Sequence, residues 1–334
     1  MRAIKVSKFG DPSVMELTQV PMLKPADNEV LVKVAGAGIN PVDTYIRSGV
    51  YAAERLPKLP FTPGGDIGGT VVACGSLVTD FKCGDNVYTV LKTSSGGYAE
   101  YATADSSFTF KLPPNLSPVE GCALGVPYFT AYRALATIGA VKKGEKVLIH
   151  GASGGVGIAA LQIARQLGCE VHGTASSEAG LALISRHGAT AHNHRANGYL
   201  DELKTIKFDA IVEMLANVNL AHDTEMLMPK GRIMVRLKKK FEINFKHLQL
   251  VGNRGEVTIN PRFMMMPETS IRGVALWNVT KEELHETACF LELMATSNTL
   301  QPVLGDAYAL DSASTAHVDT IEKTGCVGKK YFAL

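Results

Sequence analysis

Lys146-Val147-Leu148-Ile149-His150-Gly151-Ala152-Ser153-Gly154-Gly155-Val156-Gly157 is the stretch whose reading decides the fold. A short apolar run of strand length feeds straight into a glycine loop, and residues 156–167 then read as a helix. Glycines at 151, 154 and 157 allow a tight turn, close approach of a pyrophosphate, and close packing of helix on sheet. An anion would sit at the helix N-terminus, where free N–H groups and the macrodipole favour negative charge. Such glycines alone make a plain turn; the strand before and the helix after give the motif its weight.

Outward from that loop, strand and helix alternate. Glu170-Val171-His172-Gly173 reads as a strand, residues 178–187 as a helix, and Phe208-Asp209-Ala210-Ile211-Val212-Glu213 and Arg232-Ile233-Met234-Val235 as further strands. This alternation predicts a doubly wound parallel sheet, the Rossmann arrangement. Upstream, residues 120–136 are rich in helix formers and lead into the polar turn Lys142-Lys143-Gly144-Glu145. Residues 1–115 read as all-β, a barrel or sandwich: Val30-Leu31-Val32-Lys33-Val34 and Thr70-Val71-Val72-Ala73 are strands, with turns at Gly84-Asp85 and Gly96-Gly97. After Trp277 one helix, residues 281–295, and a short tail are expected.

The end of the second Rossmann strand selects the cofactor. An Asp or Glu about 20 residues past the glycines usually bonds the ribose 2′-OH of NAD. Here the residues are Gly173-Thr174-Ala175-Ser176-Ser177, so NADPH is favoured, although Glu178 stands close. His194-Arg195 would supply the missing cation if its loop folds back; otherwise it is a solvated loop.

A chain of 334 residues, 46% hydrophobic, can bury two cores. With 34 Lys+Arg against 32 Asp+Glu the net charge is +2, which provides no global field for nucleic acid or membrane. No run of about 18 apolar residues suggests a membrane span. Met1-Arg2-Ala3-Ile4-Lys5-Val6 alternates like a strand and has no apolar signal core, so a cytoplasmic address is expected. The six cysteines (74, 83, 122, 169, 289 and 326) form no Cys-x-x-Cys, which argues against a disulfide framework and a structural zinc; reduced, mostly buried thiols are expected.

Several long stretches carry a family resemblance: Asn40-Pro41-Val42-Asp43-Thr44-Tyr45-Ile46-Arg47-Ser48-Gly49, Phe61-Thr62-Pro63-Gly64, Ser95-Gly96-Gly97-Tyr98-Ala99-Glu100-Tyr101, Pro127-Tyr128-Phe129-Thr130-Ala131-Tyr132-Arg133-Ala134-Leu135, the glycine loop, and Glu213-Met214-Leu215-Ala216-Asn217-Val218-Asn219-Leu220. The chain resembles the zinc-free quinone reductases of the medium-chain dehydrogenase/reductase superfamily, the zeta-crystallin group. The resemblance implies an α/β fold: a GroES-like, β-barrel-type catalytic domain at residues 1–120, completed by 277–334, and a Rossmann NADP-binding domain at 121–276. It implies NADPH contacts at Tyr45, Ser153, Gly154, Gly155, Val156, Ser176, His194 and Asn217, with Val251, Gly252, Asn253, Arg254, Val274, Ala275 and Leu276 completing the site. It further implies a homodimer or homotetramer with the acceptor in an interdomain cleft. Where zinc-dependent relatives carry a Cys and a Gly-His-Glu, this chain has Asn40-Pro41-Val42-Asp43 and Gly64-Gly65-Asp66, so no metal site is expected. A plain ketone would need a Lewis acid; an electron-poor quinone or enone needs less help.

Candidate catalytic residues are Tyr45, Asn40 and Thr130. Tyr45 would hold the nicotinamide or bond the acceptor carbonyl; the bland alternative is interdomain packing. Asn40 and Asp43 lie beside it, with turn capping as the plainer role for Asp43. Thr130 would bond the carboxamide, unless its hydroxyl bonds back to its own helix. His192 and His194, in a polar loop, are read as non-metal, and Met264-Met265-Met266 as adaptable packing. The function expected is electron transfer from NADPH to quinones, with an enone or 2-alkenal reductase as the alternative. An AU-rich RNA-binding or crystallin-type structural role enters by resemblance only.

One segment departs from the family. Relatives run from a strand like Gly231-Arg232-Ile233-Met234 directly into a Val-Gly-x-Arg loop, whereas here residues 235–249 intervene. Removing them rejoins an apolar Ile233-Met234-Leu250-Val251. The segment opens with Val and closes with Gln, and is rich in Lys, Phe, Ile and Asn, as a short intron read in frame would be. A basic functional insertion and a tolerated surface loop are the other readings.

Overall fold

The computed structural model describes residues 1–90, 95–236 and 257–334. The expected cofactor contacts at Val251, Gly252, Asn253 and Arg254, and the 235–249 segment apart from Val235 and Arg236, lie outside the described residues.

The N-terminal part is built from β1 (Arg2–Val6), β2 (Met15–Gln19), β3 (Glu29–Gly38), α1 (Pro41–Ser48), β4 (Asp66–Cys74), β5 (Asn86–Thr89), β6 (Tyr101–Asp105) and β7 (Thr109–Lys111). β1 and β2 form a ribbon; β3, β4, β5 and β7 pair antiparallel in that order, with β6 also on β3. Helix α1 corrects the all-β expectation. Asn40 precedes Pro41 at the first helical turn, the Asp43 carboxylate accepts the Asn40 N–H at 2.7 Å, and Gly49 closes the helix at φ +75°. These are helix-start and helix-stop signals, and eight residues gave too short a period to show them as such.

Residues 120–136 do not form one helix. A 3₁₀ turn (Glu120–Ala123) precedes α2 (Gly125–Tyr132), and a π-helical turn follows at Arg133–Ile138. The break has a cause in Asp66, whose two carboxylate oxygens both accept the Val126 N–H, at 3.0 and 2.9 Å. A buried carboxylate thereby starts a new helix inside a run of helix formers.

Then follow β8 (Lys146–Ile149), α3 (Gly155–Gln166), β9 (Glu170–Ala175), α4 (Glu178–Arg186), β10 (Thr190–Asn193), α5 (Tyr199–Ile206), β11 (Phe208–Glu213), α6 (Ala216–Asp223), β12 (Leu227–Arg236), α7 (Arg262–Met265) and β13 (Ser270–Val274). Among the described residues the sheet order is β10-β9-β8-β11-β12-β13, all parallel. Val147, Ile149, Val212 and Met234 pack into one core and Leu148, Ile211, Ile233 and Val235 into another, so the strands are apolar on both faces, as a covered parallel sheet requires. β10 is a second correction: His192 sits on this strand, buried and stacked on His172 of β9 (ring centroids 5.2 Å apart), rather than in a loop. The polar composition of an edge strand hid it.

The tail holds more than one helix. After α8 (Lys281–Thr296) come β14 (Leu304–Tyr308), α9 (Ala313–Glu322) and β15 (Lys329–Ala333). β15 lies between β14 and β3, so the chain end closes the N-terminal sheet. On the way it touches the glycine loop: Gly328 pairs with Gly154, and its N–H donates to Ser153 O at 2.9 Å. Of the thiols, only Cys122 and Cys169 are buried; Cys74 and Cys326 are half-buried, and Cys83 and Cys289 exposed, which corrects the mostly buried expectation. Met265 and Met266 are also exposed, whereas Met264 is half-buried, so two of the three residues of the Met run do not pack within their own chain. No described helix is long and apolar enough to cross a membrane.

Candidate active-site cleft

β8 is the strand at which the order of the parallel sheet reverses, since β9 lies to one side and β11 to the other. Ligands of such sheets bind at the carboxyl ends beside that switch. The glycines that follow β8 divide the work among themselves. Gly151 has φ +58°, left-handed backbone that suits glycine. A Cβ on Gly157 would stand 2.3 Å from Gly151 O, so the helix could not seat against the loop. A Cβ on Gly154 would meet nothing closer than 3.5 Å, so the protein itself does not require glycine there. Gly154 is also the N-cap of α3, and no side chain caps that helix. Bare N–H groups behind open space are what a pyrophosphate needs.

A cavity of about 250 Å³ opens over this loop, lined by Gly154, Gly155 and Val156 together with Pro127, Met214 and Lys329. A second cavity of about 380 Å³ lies against α1, lined by Val42, Asp43, Ile46, Thr62, Val126 and Trp277. Asn40 belongs to the walls of both. It is 2% exposed and fully engaged: its Nδ2 donates to Asp66 Oδ2 at 2.8 Å, and its Oδ1 accepts from Lys329 Nζ. The Lys329 ammonium is also 3.7 Å from Asp66 Oδ2, so the two buried charges offset one another. Beyond them, Tyr98 donates its hydroxyl to Asp43 Oδ2 at 3.1 Å, and His317 Nε2 lies 3.2 Å from the same hydroxyl. Burial lifts the Asp43 carboxyl to about 6, opposed by the Asn40 N–H and Lys329, and burial holds His317 down near 3, hence neutral.

The other expected residues fall as follows. Tyr45 is half-buried on α1 but lines neither cavity, which its helical neighbours Val42 and Ile46 do. Thr130 is buried in α2, and its Oγ1 has no partner, so the back-bonded alternative does not occur. The buried Asn217 Oδ1, at the start of α6, is likewise without a partner. Ser153 spends its hydroxyl on Cys326 O at 3.3 Å. Val274 and Leu276 are buried at the carboxyl end of β13, with Ala275 between them. Past the end of β9, Ser177 donates to Gly325 O at 3.1 Å, and Ser176 lies beside the same glycine. The loop after β10 does fold back: Arg195 Nη2 donates to Thr324 Oγ1 at 3.3 Å, and His194, exposed, donates its N–H to Ala175 O at 3.1 Å.

Asp66, Lys329 and Trp277 were not singled out by the sequence reading. Trp277 carries the Arg55 guanidinium 5.3 Å from its ring centroid, a cation–π contact that ties the loop after α1 to the end of β13. An aspartate in a Gly-Gly-Asp turn and a lysine opening the last strand were the available signals. Among the described residues, no group of three close-set His, Cys, Asp or Glu lines the cleft.

The comparisons with known proteins bear on this geometry. The family model described as Alcohol dehydrogenase GroES-like domain matches residues 26–114, and the one described as Zinc-binding dehydrogenase matches 155–295. A quinone oxidoreductase of Sus scrofa is 47% identical, with 100% of this chain and 98% of that protein covered. The chain belongs to the quinone oxidoreductase family. The Homo sapiens quinone oxidoreductase is 45% identical over the same shares of each chain. Among solved structures, an Escherichia coli quinone oxidoreductase complexed with NADPH superposes with a TM-score of 0.83 at 26% identity, covering 100% of both chains. This chain therefore has the fold of a quinone oxidoreductase.

Proposed function

We propose that this protein reduces quinones with NADPH, in the cleft whose two cavities share Asn40 as a wall. The observation that carries the reading is Asn40, which walls both the cavity over the glycine loop and the cavity against α1. A group seated on the loop and a second molecule against α1 would thus be neighbours, and holding two reactants in contact is most of what such a transfer asks of a protein.

The residues fit the nicotinamide cofactor. Gly154 and the uncapped start of α3 would take the pyrophosphate, and the unpartnered Thr130 Oγ1 and Asn217 Oδ1 offer bonds to amide groups. No carboxylate stands at Ala175-Ser176-Ser177, and Arg195 is drawn to the same edge through Thr324, which favours a 2′-phosphate. When bound, NADPH supplies the hydride. The chain's own part is to orient and to exclude water: Val42, Ile46, Val126 and Trp277 give an apolar slot for a flat acceptor, and Asp43, through its raised pKa, carries a proton at mildly acid pH behind it. The cofactor domain is taken as 121–276 and the catalytic domain as 1–120 with 277–334. A homodimer or homotetramer is part of this reading, supported by β13, an edge strand with β12 on one side only among the described residues, beside exposed Phe263, Met265 and Met266.

The test is NADPH consumption with a panel of quinones and enones, with product analysis. Quinone-dependent oxidation with hydroquinone product is expected; a saturated carbonyl product from enones at higher kcat/KM would replace this reading with the enone reductase. NADPH should bind better than NADH by roughly 1.5–3 kcal/mol, about one charge-assisted bond, and equal affinities in a fluorescence titration would refute the cofactor assignment.

A further inference from the structure

Under the cofactor loops, β8, β11 and α6 bring together three ionisable side chains that the hydride-transfer reading does not use. His150 Nε2 lies 2.9 Å from Asp223 Oδ1 and 3.7 Å from Glu213 Oε2. A carboxylate oxygen of Glu213, one of Asp223 and a ring nitrogen of His150 all lie within 4.8 Å of one another. Both acids are completely buried, and Glu213 Oε2 and Asp223 Oδ2 meet no N–H or O–H donor. Among the described residues no lysine or arginine pairs with either acid. The other titratable groups felt at the cluster are Tyr199 of α5, which faces both acids, and His194, which faces His150. Two ionised carboxylates so close together, both fully buried and with no lysine or arginine beside them among the described residues, would each carry several kcal/mol of desolvation cost. One proton between them removes most of it.

The cluster is wired to both loops that line the cofactor cavity. Glu213 Oε1 accepts the Leu215 N–H, and Asn219 Nδ2 at 3.3 Å, which fixes the loop after β11. His150 Nδ1 lies 3.4 Å from Thr174 Oγ1, which accepts the Gly151 N–H at 3.2 Å and so fixes the glycine loop. We propose that Glu213 and Asp223 share a proton and that this protonated pair, with His150, acts as a positioning unit that holds both loops ready for NADPH. The inference rests on the cofactor reading above. Burial raises Glu213 to about 8 and Asp223 to about 7, and holds His150 below its usual range, hence neutral. Loss of the proton places a second negative charge beneath the loop that takes the pyrophosphate, and drives the acids apart along with the N–H groups they hold. Linkage then requires the converse: binding NADPH near pH 8 takes up a proton.

The experiment measures the NADPH dissociation constant from pH 7 to 9 and, by calorimetry in two buffers of different ionisation heat, the protons taken up at pH 8. The unmodified protein, Glu213→Gln and Asp223→Asn are compared. The expected result for the unmodified protein is a dissociation constant that rises about tenfold toward pH 9, as one linked proton with a pKa near 8 dictates, with proton uptake at pH 8. The Gln variant, neutral at every pH, should bind with a flat profile and no uptake. A flat profile and no uptake in the unmodified protein overturn the proposal, and this measurement stands even if neither variant folds. One equivalent of divalent metal retained through dialysis against chelator would place a cation, not a proton, between the acids and overturn it as well. No NADPH binding even at pH 7 would instead bring down the cofactor reading, and this inference with it.

Discussion

Gly154 and Gly157 stand three residues apart in the same loop, and the space around them differs. Residue 154 has φ −85° and ψ 172°, which alanine adopts freely, and open space where its Cβ would point. Residue 157 would drive its Cβ to 2.3 Å from Gly151 O and 2.6 Å from Ala152 Cα. Gly154→Ala should therefore keep the melting temperature within a few degrees while weakening NADPH binding at least about tenfold, since only a ligand needs that space. Gly157→Ala should lose stability, by roughly 1–3 kcal/mol as overpacking does. Thermal melts and fluorescence titrations of both variants check this; equal loss of stability in the two would show that Gly154 is structural. The glycine spacing was legible in the sequence because one backbone requirement maps to one residue type. The partnering of Asn40 with Asp66 and Lys329 was not, because contacts across 26 and 289 residues leave no periodic trace.

Elements were legible where their period had room to show. β8, α3, β9, α4 and β11 fall within a residue or two of the expected places, since each is an apolar strand or an amphipathic helix bounded by glycine or polar turns. α1, β10 and β15 escaped for three different reasons: a helix too short for its period, an edge strand with polar residues, and a strand one of whose two partners, β3, comes from the other end of the chain. β13 carries a prediction of its own. An edge with exposed Met265 and Met266 beside it should pair with a second copy, and Met265→Glu with Met266→Glu should shift the protein toward monomer. Light scattering after size exclusion measures this; a monomeric parent protein would contradict the dimer.

At the scale of the molecule, the two-sheet organisation followed from the switch in pattern near residue 118, whereas the return of the chain to the first sheet came from the resemblance alone. The strand β12 ends at Arg236, and Val235 is buried between β11 and β13. If residues 235–249 are an in-frame intron, Leu250 takes that buried place, an apolar residue for an apolar residue. Sequencing the mature transcript should then recover a message without those codons, and the shorter protein should melt higher and bind NADPH more tightly. A transcript that keeps them as its only form would refute the intron reading.

The pairing of Gly328 with Gly154 and the seat of β15 beside β3 have a consequence for synthesis. A ribosome delivers the chain from its N-terminus, and domains ordinarily fold in that order. Here neither the first sheet nor the cofactor loop has all its hydrogen bonds until Gly328 and β15 emerge. Nascent chains stalled before Gly328 should therefore capture nucleotide poorly, so that the emergence of β15, rather than of the glycine loop itself, is the step that makes that loop competent.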